Sequence, residues 1–182
     1  WNYPRVTAPR YVGRHWFYNR NTGLQRQSVV FTRETLNGSE TVTLDPNSLS
    51  PDGTVALSGF VPSPDALHFA YGQSEGGSDW STYYIRELGT GKQLPEAIRW
   101  VKFSGLSWTE DGKGFFYGRF PEPRAGKAME DAAKDKKIYY HVLGTPQSAD
   151  RLIYERPEEP TLFVDADTDE TGRYLFITTN KG

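Results

Sequence analysis

Short runs of aromatic and β-branched residues recur along the chain, each bounded by Gly, Pro, Asn or Asp. Such runs suit a pleated, half-buried surface. The bounding residues are those that reverse a chain: Pro fixes φ, while Gly, Asn and Asp tolerate left-handed backbone. Gln27–Arg33 lies between Asn21-Thr22-Gly23 and Asn37-Gly38, and Thr41–Leu44 runs into Asp45-Pro46-Asn47. Val55–Val61 is entered through Pro51-Asp52-Gly53, and Thr82–Leu88 leads into Gly89-Thr90-Gly91-Lys92. Each run is predicted to be a β-strand, and the last turn a hairpin.

One phrase repeats: a small or polar residue, a turn built on Asp or Gly, then an aromatic-rich strand. It reads Ser63-Pro64-Asp65-Ala66-Leu67-His68-Phe69-Ala70-Tyr71, then Trp108-Thr109-Glu110-Asp111-Gly112-Lys113-Gly114-Phe115-Phe116-Tyr117, then Asp169-Glu170-Thr171-Gly172-Arg173-Tyr174-Leu175-Phe176-Ile177. A fainter copy spans Ala8 to Tyr18. Spacings of about 45 to 60 residues, with about four strands per repeat, match the blades of a β-propeller. A sandwich is the alternative all-β fold. A blade buries both faces only against its neighbours, so a partial propeller is expected to expose Tyr, Phe and Trp on its first and last faces. The segment 121–137 breaks the pattern. It is rich in Ala and charge, with Glu130 and Lys134 at helical spacing, and is expected to be a surface insertion, either one or two helical turns or a loop.

Composition sharpens this picture. Among 182 residues there are 11 Tyr, 10 Phe and 5 Trp, with 18 Gly and 12 Pro to serve many turns. The chain has no cysteine, which excludes disulfides, thiolate metal sites and a Cys nucleophile, and fits a cytoplasmic setting. A net charge of −2 gives no reason to expect a nucleic-acid partner, and no run has the length of a membrane span. The chain opens on Trp1 rather than Met, so a periplasmic parent protein stays open as well.

Candidate chemistry is sparse. His15, His68 and His141 lie far apart, beside aromatics in predicted strands, and read as partly buried sheet residues rather than metal ligands. The phrase Gly76-Gly77-Ser78-Asp79-Trp80 lacks the last glycine of a serine elbow and reads as a turn. Asn37-Gly38-Ser39 matches a glycosylation acceptor but reads as a hairpin turn. The carboxylates Glu158-Glu159 and Asp165, Asp167 and Asp169 read as solvated turns, because a calcium loop would need a Gly and a bidentate Glu at fixed offsets. No metal, cofactor or self-sufficient catalytic constellation is predicted.

Specific phrases carry more. Tyr18-Asn19-Arg20-Asn21-Thr22-Gly23-Leu24-Gln25, Leu44-Asp45-Pro46-Asn47 and Ser50-Pro51-Asp52-Gly53-Thr54-Val55-Ala56-Leu57 come in one order. They are followed by Ala70-Tyr71-Gly72, Gly77-Ser78-Asp79-Trp80, Val101-Lys102-Phe103-Ser104, Asp111-Gly112-Lys113-Gly114-Phe115-Phe116-Tyr117 and Tyr139-Tyr140-His141-Val142-Leu143-Gly144-Thr145. Together they resemble the propeller domain of the prolyl oligopeptidases, serine peptidases that cut short peptides after proline. The resemblance implies about the first half of a seven-bladed propeller over residues 1–182, partnered by an α/β-hydrolase domain that carries a Ser-Asp-His triad outside this chain. It implies short proline-containing peptides as substrates, admitted by a propeller that excludes folded proteins. Phe103 matches a family residue lining the pocket for the substrate residues before the proline. Phe163 stands where many relatives have Met in that pocket. Asp79 and Lys102 match charged positions near the domain interface, where a gating role is expected. The alternatives are that Phe103 and Phe163 are simple blade core, and that the chain is a stand-alone propeller binding peptide or protein.

Overall fold

The computed structural model describes residues 2–124 and 134–181, so the predicted insertion at 121–137 falls largely outside the described residues. Fifteen strands are described, arranged as four antiparallel sheets. The first sheet holds β1 (Arg5–Val6), β2 (Arg10–Val12), β3 (His15–Asn21), β4 (Val29–Arg33) and β5 (Thr41–Leu44). Its order is β1-β3-β4-β5, with β2 also pairing to β3. The second holds β6 (Val55–Pro62), β7 (His68–Glu75), β8 (Ser81–Glu87) and β9 (Gln93–Val101). The third holds β10 (Leu106–Trp108), β11 (Gly114–Arg119), β12 (Lys137–Val142) and β13 (Arg151–Tyr154), and β14 (Phe163–Thr168) pairs with β15 (Leu175–Asn180). The second and third sheets are four-stranded meanders in chain order, as propeller blades require. The run predicted over Gln27–Arg33 enters its ladder only at Val29, because the Asn47 side chain takes up the Gln27 backbone: it accepts the Gln27 N–H and donates to the Gln27 carbonyl, both at 3.0 Å.

The repeated phrase is one physical device. In the second sheet the Ser63 hydroxyl donates to Asp65 at 2.6 Å, and Asp65 accepts the Leu67 N–H at 2.9 Å. In the third, Thr109 and Asp111 repeat the arrangement at 2.8 Å, and Asp111 accepts the Lys113 N–H at 3.1 Å. In the fourth, Asp169 accepts the N–H groups of Thr171 and Tyr174. Each turn contains a left-handed residue, Ala66 at φ +54°, Gly112 at +65° and Gly172 at +65°. Successive turns also touch. A Cβ on Gly112 would sit 2.9 Å from the Asp65 carboxylate, and one on Gly172 would sit 2.5 Å from the Glu110 Cβ. Glycine therefore serves both the backbone angle and the approach of one blade to the next.

Between the sheets lie aromatic cores. Val30 and Leu44 of the first pack with Phe69 and Tyr71 of the second. Ala70, Tyr83, Ile85, Ile98 and Val101 of the second meet Leu106, Trp108, Phe115 and Tyr117 of the third. Ile138 of the third meets Leu162 and Val164 of the fourth. Directional bonds cross the same seams: the Trp108 indole donates to the Val61 carbonyl at 3.1 Å, and the Thr168 hydroxyl donates to the Trp108 carbonyl at 2.9 Å. The outermost sheets expose Tyr11, Tyr174 and Phe176, as a partial propeller should, although no tryptophan is exposed among the described residues. Trp16 avoids it by packing its ring 4.8 Å from that of Tyr11.

Of the predicted sheet histidines, His15 and His68 are half-buried and His141 is fully buried. The His141 Nδ1 lies 2.7 Å from Asp150, which also accepts the Tyr117 hydroxyl at 2.6 Å. This polar knot ties β12 to the loop before β13 inside the third blade, and burial with the Asp150 bond pushes the Tyr117 phenol well above its usual range.

Candidate functional site

Opposite the repeated turns, where β8, β10, β12 and β14 begin and β9 and β11 end, the sheets present a second set of aromatics. Its geometry starts in two backbone irregularities. The pairing of β8 with β9 steps from Ser81↔Val101 to Tyr83↔Ile98, so β9 carries an extra residue there. Within that bulge Trp100 takes φ +62°, a left-handed angle costly for so large a side chain. Three residues later, in the link to β10, Phe103 does the same at φ +50°. Bulges re-aim side chains, and strain of this kind persists only where the surroundings over-determine it.

The two bends collect an aromatic and cationic cluster. Trp80 meets Trp100 and Phe120 edge-on, with ring centroids 5.9 and 5.8 Å apart. The Lys102 ammonium lies 5.2 Å from the Trp80 ring centre and 5.0 Å from that of Phe103, within cation–π range. Its charge partner is Asp79 at 3.4 Å. Phe103 and Phe163 form an edge-to-face pair at 6.0 Å, joining the β9–β10 link to the start of β14. The four residues singled out from sequence therefore gather in one place. The reading of Phe103 as blade core does not hold, since 55% of it is exposed; the left-handed bend turns its ring out of the sheet. Phe163 is half-buried.

Sequence reasoning passed over several neighbours. Lys136 has a fully buried side chain and donates to the Phe103 carbonyl at 2.9 Å and to Asp165 at 2.8 Å. Burial pushes its ammonium below the usual lysine range, and Asp165 draws it part of the way back. Asp165 is thus not a turn residue: half-exposed, it sits in β14 and receives an ion pair, and Asp167 also lies in that strand, while Asp169 does build a turn. Trp100 and Phe120 line an open cleft of about 440 Å³ together with Arg119 and Tyr139, whose guanidinium and ring lie 3.9 Å apart. A larger cleft of about 680 Å³ lies at the other end, beside His15, Arg33 and Leu67, away from this cluster. Trp80 closes the phrase Gly77-Ser78-Asp79-Trp80, whereas Trp100 carried no sequence signal beyond being aromatic, because a left-handed tryptophan has no compositional signature.

The whole of the chain, residues 1–182, matches the family described as "Prolyl oligopeptidase, N-terminal beta-propeller domain". The prolyl endopeptidase of Elizabethkingia meningoseptica is 38% identical over 178 residues, covering 98% of this chain and 25% of the relative. Prolyl oligopeptidase A of Amanita bisporigera is 39% identical over 205 residues, covering 99% and 27%. Among solved structures, prolyl oligopeptidase B from Galerina marginata, bound to a 35mer hydrolysis and macrocyclization substrate, superposes with a TM-score of 0.89 at 33% identity. That match covers 99% of this chain and 27% of the solved one. The chain thus spans about a quarter of the length of the relatives it matches.

Proposed function

From the premise that the chain belongs to the prolyl oligopeptidase family, as its N-terminal β-propeller domain, we propose that it serves a serine peptidase cutting short peptides after proline. In this reading an α/β-hydrolase domain carries out acyl transfer through its Ser-Asp-His triad, and the propeller covers that domain and screens what reaches it. Alone, the chain supplies no catalytic group. The observation that carries the reading is the Phe103–Phe163 pair, two aromatic rings offered at one end of the sheets rather than spent in the core. An apolar wall of this kind suits the side chains that precede the proline, and closing over them removes water from the reacting bond. Asp79 and Lys102 pair on the same rim at 3.4 Å, and in this reading they supply its polar contact with the hydrolase domain. The absence of cysteine suits a cytoplasmic enzyme.

The test is a comparison of substrates offered to the full-length protein. A free peptide of about ten residues with an internal proline is cleaved, its Pro→Ala version is not, and the same segment inside a folded protein stays intact. Equal cleavage of the folded protein overturns the screening role, and equal cleavage of the Pro→Ala peptide overturns the specificity.

A further inference from the structure

We infer that Lys136 is a positioning residue, which fixes the shape of the Phe103–Phe163 wall and so tunes how strongly an extended peptide is held. The inference rests on the functional reading above, but its geometry stands by itself. Lysine is among the residues least often buried, and an ammonium taken out of water must be repaid by its contacts. Here the Nζ gives one hydrogen bond to the Phe103 carbonyl at 2.9 Å and one to the Asp165 carboxylate at 2.8 Å. Phe103 is one wall residue and sits at φ +50°. Asp165 lies two positions beyond Phe163, so the alternation of a strand puts both on the same face of β14. One buried charge therefore ties the strained bend that carries the first ring to the strand that carries the second.

The chain makes room for this tie. On β11 a Cβ at Gly118 would lie 2.5 Å from the Lys136 Cε and 2.8 Å from the Ser104 Oγ, so glycine leaves the path open for the lysine stem. The Gly118 N–H in turn donates to the Ser104 hydroxyl at 3.2 Å, holding the residue after Phe103. On the other side Asp135 bends through φ +60° and donates its N–H to the Pro160 carbonyl at 2.7 Å, which fixes where Lys136 enters the interior. A lysine wanted only for stability is replaceable by an apolar side chain of the same length. One that holds a strained carbonyl is not, because that carbonyl loses its partner.

The experiment compares wild type with Lys136→Met in the full-length protein. With 4-fluorophenylalanine at position 103, the fluorine resonance is expected to be a single line in wild type and to split or broaden in the variant; an unchanged line overturns the inference. Kinetics give the consequence, using a capped Gly-Pro p-nitroanilide and the same peptide with a phenylalanine added upstream. KM for the longer peptide is expected to rise about tenfold, with kcat and the shorter peptide changed less than about twofold. A parallel loss on both peptides, or no loss, overturns the positioning role. Should Lys136→Met fail to fold, Asp165→Asn keeps an oxygen acceptor but removes the charge, and is expected to move the same ratio about threefold; a ratio that stays constant overturns the inference. Wild-type protein that cleaves neither peptide removes the peptidase reading instead, and the fluorine line still decides the positioning.

Discussion

Replacing Trp108 by Phe tests whether the blades are held by the seam described above. Trp108 is 4% exposed, donates its indole N–H to Val61 of the preceding sheet, and packs edge-on against Phe115 at 5.2 Å. The substitution removes about 40 Å³ of buried volume, which at about 24 cal/mol per Å³ costs about 1 kcal/mol. It also removes one hydrogen bond worth about 1 kcal/mol net. The sum is about 2 kcal/mol, or a factor of about 30 in a local opening equilibrium. Hydrogen exchange on the full-length protein reads this directly: amides of β6, β10 and β11 should lose about 30-fold of their protection, while β3 and β4 change little. The exposed Leu24→Ala serves as the control and should alter nothing. A loss of under about threefold in β6 and β10 would refute the claim that this side chain couples the blades.

Three further outcomes are expected. Gly172→Ala should destabilise its turn by about 2 kcal/mol or more, since strain at φ +65° adds to a contact with Glu110. Gly144→Ala, at φ +81° with open space around it, should cost only about 1 kcal/mol, and equal exchange effects at the two sites would contradict the packing of turn on turn. Arg20, Tyr18 and Arg33 hold the Glu40 carboxyl at a pKa of about 2, below its ordinary 4.5. The folded state thus binds this proton more weakly than the unfolded one, so the stabilisation is complete above about pH 4.5 and fades as pH falls towards 2. The difference in melting temperature between wild type and Glu40→Gln should shrink over that window, and a difference constant with pH would contradict the assignment. Finally, Phe103→Ala in the full-length protein should raise KM about five- to tenfold for peptides with a bulky apolar residue upstream of the proline, with kcat nearly unchanged; an unchanged KM would remove the ring from the pocket.

The strands were legible because turns announce them. Asp65, Asp111 and Asp169 each cap a turn in which a small residue adopts a left-handed angle, and the aromatic run after each turn has the period of a sheet. The spacing of these phrases gave the repeat, and the repeat gave the propeller. The site was legible only through family phrases such as Val101-Lys102-Phe103-Ser104, because what makes it a site is not composition. Trp100 and Phe103 are left-handed, which their chemistry disfavours, and nothing in a string of letters marks an exception of that kind. Lys136 defied the expectation that lysines face water, since its burial depends on the gap at Gly118, on Asp165 across the blade seam and on a carbonyl bent towards it. Asp165 was misread for the same reason: next to Asp167 and Asp169 it resembles a turn, and only the lysine arriving from another blade shows otherwise.

The decisive measurement is hydrolysis of a chromogenic Gly-Pro peptide by the full-length protein beside residues 1–182 alone. Activity in the full-length protein and none in the isolated domain is the predicted result. No hydrolysis by the full-length protein, or turnover by the domain alone, would contradict it.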